Sequence, residues 1–162
     1  DVGGGSGALL AAALGTHPQL RGILFDLPSA VVDAPSTLSA AGIADRCEIR
    51  TGSALEFVPP GGDLYVLSRV LHDWPDEKAS TVLTNCRRVM KPGAVLLVID
   101  GVLRPGSDPA SRLWLDLVMM VMNGGRERTE TEWSGLLRKA GFVIDSIRPS
   151  GANQDLIAAH AI

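Results

Sequence analysis

Apolar and polar positions along the chain switch between a helical and a strand-like period, and the switching predicts elements in alternation. Residues 8–14 are a run of strong helix formers, stopped near Gly15 and Pro18. Gly22-Ile23-Leu24-Phe25-Asp26 is a short buried-strand pattern that ends in an acid, and residues 28–42 read as helix broken by Pro28 and Pro35. Cys47-Glu48-Ile49-Arg50 alternates as a strand does, and Leu64-Tyr65-Val66-Leu67 reads as a buried strand after Gly61-Gly62-Asp63. Residues 75–91 carry the clearest helix: Ala79, Val82, Leu83, Cys86, Val89 and Met90 recur at helical spacing. Pro75, Asp76 and Glu77 suit its positive end, and Arg87, Arg88 and Lys91 its negative end. The unbroken apolar run at 94–99 predicts a strand covered on both faces. A helix is expected from Asp108-Pro109 to Asn123, stopped by Gly124-Gly125. Thr129 and Glu132 form a capping box for the next helix, whose apolar face is Trp133, Leu136, Leu137 and Ala140 and which Gly141 closes. Residues 142–148 and 155–161 read as two final strands.

Strands alternating with helices imply an α/β fold with a mostly parallel sheet. The loop around Gly151 is too short for a crossover, so the last pair is expected to be antiparallel. The length of 162 residues suits one domain, and 46% apolar with 20% charged residues is a globular composition. A formal charge of −3 makes a poor footprint for nucleic acid or an anionic membrane. No apolar run reaches the ~18 residues of a membrane span. Cys47 and Cys86 form no CxxC, and the default expectation is a reduced, cytoplasmic setting. The chain opens directly on a glycine loop. The strand expected to lead into that loop is therefore largely missing beyond Asp1-Val2, and residues 1–162 are read as one domain of a longer protein.

Gly3-x-Gly5-x-x-Ala8, opening a helix after a strand, fits a nucleotide-binding turn in which glycines let a ligand approach the backbone. Asp26, at the end of the next strand, is placed to hold two ribose hydroxyls. A plain glycine turn with a solvated aspartate is the competing reading, and the strand–loop–helix–strand–acid order favours the ligand. The pattern fits either a nicotinamide dinucleotide or S-adenosylmethionine. Asp1 favours the second, since an acid there suits a cationic methionine amine better than a pyrophosphate.

Four segments together resemble one family. They are Asp1-Val2-Gly3-Gly4-Gly5-Ser6-Gly7; Phe25-Asp26-Leu27-Pro28; Leu71-His72-Asp73-Trp74 with Asp76-Glu77-Lys78; and Gly124-Gly125-Arg126-Glu127-Arg128-Thr129. In order and spacing they are similar to the plant-type S-adenosylmethionine-dependent small-molecule O-methyltransferases, whose bacterial members modify polyketides and phenolic natural products in secondary metabolism. The resemblance implies a Rossmann-like class I methyltransferase sheet, mostly parallel with an antiparallel C-terminal strand. It also implies a homodimer formed through a helical N-terminal domain, absent from this sequence, that helps close the substrate pocket.

By the same resemblance His72 is the general base, flanked and oriented by Glu127 and Asp100. On its own, Glu127 would read as a surface charge between two arginines, and His72 as a structural or solvated histidine. The family commonly has Glu where Asp100 stands, so that contact loses a methylene. Asp73 is read as a helix cap or a second acceptor beside the base and the substrate. Asp1, Gly3, Gly5, Asp26 and Leu27 fall at cofactor positions, joined by Ser53, Ala54, Leu55 and Ser68. Here the chain departs from its relatives: Gly52-Ser53-Ala54-Leu55 replaces Gly-Asp-aromatic, so Ser53 lacks a carboxylate and Leu55 cannot stack. Ser68 stands where plant relatives often have Lys. Met119 and Asn123 fall where the family lines its acceptor pocket, although a Met stripe at helical spacing is commonly core. No metal is expected. The alternatives are a nicotinamide-dependent oxidoreductase, which would lack a Tyr-x-x-x-Lys pair because position 69 is Arg, and a non-catalytic cofactor-binding remnant.

Overall fold

Two groups of strands meet across the first two residues of the chain. In the computed structural model, which describes residues 1–104, 106, 121, 124–150 and 154–162, β1 (Gly22–Asp26) pairs in parallel with β2 (Cys47–Thr51). A second group follows the order β3-β4-β8-β7, formed by β3 (Leu64–Ser68), β4 (Val95–Asp100), β8 (Asp155–Ala161) and β7 (Phe142–Pro149). The β3–β4 pair is parallel, and β8 runs antiparallel to both β4 and β7. Asp1 and Val2 bridge the groups. The Phe25 N–H donates to the Asp1 carbonyl at 2.9 Å and the Val2 N–H to the Val66 carbonyl at 2.8 Å. The strand before the glycine loop thus lies between β1 and β3, as a Rossmann-like sheet requires. A third, short parallel pair joins β5 (Val102–Leu103) to β6 (Arg128–Thr129).

Among the described residues, four α-helices cover these strands: α1 (Ala8–Thr16), α2 (Ala34–Ala40), α3 (Asp76–Val89) and α4 (Glu130–Lys139). On α3 the residues Ala79, Val82, Leu83 and Cys86 are buried, one face at helical spacing. The α4 capping box forms as expected: the Glu132 N–H donates to Thr129 Oγ1 at 3.3 Å, and the Thr129 N–H donates to Glu132 Oε2 at 2.8 Å. The main core lies between α3, α4 and the strands β3, β4, β7 and β8. A smaller core of Leu14, Leu24, Val31, Ala34, Leu38, Ile43 and Cys47 sits under α1 and α2.

Two expectations need amendment. On β4, Leu96 and Val98 are buried, whereas Leu97 is half-buried and Val95 is 38% exposed, so complete cover holds for one face only. Asp73 does not cap α3. It lies in a single 3₁₀ turn (Leu71–Asp73), and the cap position falls to Pro75. The helix expected over 108–123, with Met119 and Asn123, lies outside the described residues.

Candidate active site

The carboxyl ends of β1, β3 and β4 deliver the chemistry-bearing loops to one edge. After Val2 the chain turns through Gly3 (φ +75°) and Gly5 (φ +53°), left-handed conformations that favour glycine. A Cβ on Gly3 would lie 2.6 Å from Val70 Cγ2, so the loop is seated tightly on the segment after β3. A Cβ on Gly5 would meet nothing within 4 Å; that side of the loop is open. Asp26 ties the loop to β1. Its Oδ2 accepts the Gly5 N–H at 2.9 Å and its Oδ1 accepts the Leu27 N–H at 2.7 Å. Leu27 itself is exposed. The Gly52 N–H donates to the Asp26 carbonyl at 3.0 Å, which brings the Ser53 turn beside this aspartate. Ser53 Oγ accepts the Leu55 N–H at 3.3 Å, while Ala54 and Leu55 lean on the main core. Ser68 ends β3, half-buried.

Asp1 carries an informative mismatch. Both its carboxylate oxygens are buried, and neither has a hydrogen-bond partner among the described residues. A buried carboxylate without a donor is costly and calls for a cation or a hydrogen-bond donor. The space over Gly5 and the orphaned acid behind it fit a ligand with a cationic end.

His72 lies a few residues beyond, in the turn after β3, and is only 5% exposed. Its Nδ1 is 3.0 Å from Glu127 Oε1 and 3.6 Å from Asp100 Oδ1, and its Nε2 is 3.7 Å from Asp73 Oδ1. A carboxylate only accepts, so in the neutral ring Nδ1 carries the proton and Nε2 keeps its lone pair. Burial lowers the imidazole's pKa, but the Glu127 hydrogen bond and the charges of Asp100, Glu127 and Asp73 outweigh it and hold the ring above its ordinary 6.5. Asp100 is 1% exposed; burial pushes its carboxyl up to about 7, against the pull of His72. Its Oδ2 accepts the Leu71 N–H at 3.3 Å, and its Oδ1 has no hydrogen-bond partner among the described residues.

Glu127 is 2% exposed, not the surface charge its two arginine neighbours suggest. The loop that carries it is pressed against the turn that carries His72. The Arg126 N–H donates to the His72 carbonyl at 2.9 Å, and a Cβ on Gly125 would overlap that same carbonyl. Gly101 is equally constrained, since a Cβ there would overlap Glu127 Oε2. Trp133 donates its indole N–H to the Gly101 carbonyl at 3.0 Å. Gly101 and the buried Arg128 shape this cluster without having been singled out in the sequence, and Gly125 was read there only as a helix stop and part of a motif. Arg128 stood within a quoted motif, but nothing in its spacing marked it as buried.

The same edge therefore gathers the glycine turn with Asp1 and Asp26, and a buried cluster of His72, Asp100 and Glu127 with Asp73 beside it. An O-methyltransferase domain profile matches residues 1–143. The chain belongs to the O-methyltransferase domain family. Phenazine O-methyltransferase from Lysobacter antibioticus is 40% identical over 162 residues, covering 100% of this chain and 48% of that protein. Among solved structures, the mitomycin 7-O-methyltransferase superposes with a TM-score of 0.96 at 39% identity, covering 100% of this chain and 48% of its own. The O-methyltransferase of neocarzinostatin biosynthesis, solved with S-adenosylmethionine and 2-hydroxy-5-methyl naphthoic acid, superposes with a TM-score of 0.91 at 34% identity, covering 100% and 48%. The chain spans about half the length of the O-methyltransferases it matches.

Proposed function

We propose that this domain transfers a methyl group from S-adenosylmethionine to a hydroxyl, phenolic in character, of a small natural product, with His72 as general base. The observation that carries the reading is the buried 3.0 Å pair of His72 and Glu127, set on the same sheet edge as a glycine loop tied to Asp26. The neocarzinostatin-biosynthesis relative, solved with methyl donor and a hydroxy-naphthoic acid, supports both halves of it.

In this reading the orphaned Asp1 carboxylate holds the cationic amine of the methyl donor, and Asp26 holds the ribose hydroxyls. A carboxylate has about four lone-pair sites, so the two backbone N–H groups already on Asp26 leave room for them. The open side of Gly5 lets the ligand lie against the backbone, with Leu27, Ser53, Ala54, Leu55 and Ser68 bordering it. When bound, S-adenosylmethionine supplies a methyl group on a sulfonium centre. Glu127 accepts a hydrogen bond from the Nδ1–H and so keeps Nε2 ready to take the acceptor's hydroxyl proton. A phenol has a pKa of ~10 against ~6.5 for imidazole, so complete prior transfer would cost about 5 kcal/mol. The elevated His72 pKa narrows that gap, and removing the proton as the new bond forms avoids the pre-equilibrium. Met119 and Asn123 are proposed to line the acceptor side.

The test is methyl transfer from isotopically labelled donor to a panel of phenols by the purified enzyme. The His72→Gln variant should lose about 10²–10⁴ in rate while binding S-adenosylhomocysteine as before. Undiminished turnover in that variant would remove His72 from the chemistry.

A further inference from the structure

We infer that Arg128 is a positioning residue for His72: its buried guanidinium holds the turn carrying the imidazole against the strand that follows Glu127. The inference rests on the proposed role of His72. Arg128 is 0% exposed, which is unusual for a charged side chain without partners that use it fully. Its Nη1 donates to the Leu71 carbonyl at 2.9 Å and its Nη2 to the Trp74 carbonyl at 2.8 Å. Nε and Nη2 both lie 2.9 Å from Asp76 Oδ1, at the first turn of α3. One rigid fork thus grips the residue before His72, the residue after Asp73 and the start of the following helix. The guanidinium carbon lies 5.2 Å from the centre of the Trp133 ring, whose N–H fixes Gly101 under Glu127.

The chain geometry makes this grip matter to the imidazole. Glu127 and Arg128 are consecutive, yet they serve different parts of the same turn. One reaches the His72 ring, and the other reaches the backbone that presents it. The Arg126 N–H completes the join on the His72 carbonyl. If the Arg128 fork loosens, the 71–76 turn can drift away from Glu127, and the 3.0 Å bond to Nδ1 lengthens. Lysine would keep the charge but not the planar, three-way donor geometry. The charge-conserving variant therefore separates positioning from electrostatics.

The experiment compares Arg128→Lys and Asp76→Ala with the wild-type enzyme. Asp76 is largely exposed, with a side chain 55% accessible, so its replacement loosens the fork from outside if the lysine variant does not fold. The readouts are the ¹³C-histidine NMR titration of His72, S-adenosylhomocysteine binding, and kcat. The expected result is a His72 midpoint displaced downward by about half a unit or more, toward that of Glu127→Gln. Ligand affinity should stay within about twofold and kcat should fall about tenfold or more. A wild-type His72 titration in the folded variants overturns the inference, whatever the rate does. Absence of methyl transfer by the wild-type enzyme would instead refute the proposed function, and the NMR arm would still report on Arg128.

Discussion

Adding one methyl group at Gly101 should disable the base without touching it. Gly101 follows Asp100 at the end of β4 and is not among the glycines with positive φ, so its backbone tolerates alanine. The new Cβ would overlap Glu127 Oε2 and lie 3.0 Å from Glu127 Cδ. Ordinary contact needs roughly 3.5 Å or more, so the carboxylate must retreat by roughly 1 Å. From 3.0 Å to His72 Nδ1, such a retreat takes Glu127 out of hydrogen-bond range. A hydrogen bond to a charged group is worth about 1.5–3 kcal/mol, which at ~1.36 kcal/mol per decade is about a 10- to 150-fold loss in kcat/KM. We predict that Gly101→Ala falls in this range, close to Glu127→Gln and above the His72→Gln floor. Initial rates with labelled methyl donor measure it, with calorimetric S-adenosylhomocysteine affinity as the control for the cradle. A Gly101→Ala enzyme with the wild-type rate would show that Glu127 does not orient the imidazole.

Other perturbations probe the cradle and the buried acid. Gly5→Val should abolish S-adenosylhomocysteine binding with the helical signal largely intact, because a branched side chain at φ +53° both strains the loop and fills its open side; calorimetry and circular dichroism check this, and unchanged affinity would refute it. Asp26→Ala should weaken the same ligand by roughly 1.5–3 kcal/mol, read from the same titration, and no loss would mean that Asp26 does not hold the ribose. For Asp100, the folded-state pKa is raised from 3.8 to about 7, so the folded state binds the proton more tightly and loses stability as pH rises between those values, by a ceiling of about 4 kcal/mol. Asp100→Asn should therefore raise the melting temperature relative to wild type at pH 8 and change it little at pH 4, and a difference independent of pH would contradict the buried charge.

Periodicity recovered most of the fold because most of its strands and helices are amphipathic or bounded by glycine, proline and acids. The Thr129–Glu132 cap, the α3 face and the antiparallel β7–β8 pair all follow from local pattern and loop length. The apolar run of β4 misled on cover, since an unbroken run does not say how much of each face neighbouring elements reach. The site was legible in its motifs but not in its burial. Glu127 and Arg128 look like three alternating charges with Arg126, and only tertiary contact turns the middle one inward to His72 and the next one to the Leu71 and Trp74 carbonyls. Gly101 carries no local signal, and Gly125 signals only a helix stop. Their lack of a side chain matters because groups distant in sequence, Glu127 Oε2 and the His72 carbonyl, occupy the space.

Asp100 and Glu127 act on the His72 ring in different ways. Glu127 reaches Nδ1 at 3.0 Å and forms a hydrogen bond, whereas Asp100 stops at 3.6 Å, too long for one. Asp100 therefore acts on the imidazole through charge, and that charge is present only when Asp100 is ionised. Because burial holds its carboxyl near 7, its influence grows as pH rises through neutrality. An ionised Asp100 in turn makes the imidazole hold its proton more tightly, so the two groups titrate as a coupled pair. In the proposed reaction an ionised Asp100 stabilises the imidazolium formed when His72 takes a proton. Asp100 thus contributes a titrating charge, and orientation of the ring rests on Glu127 and the loop packed against the His72 carbonyl.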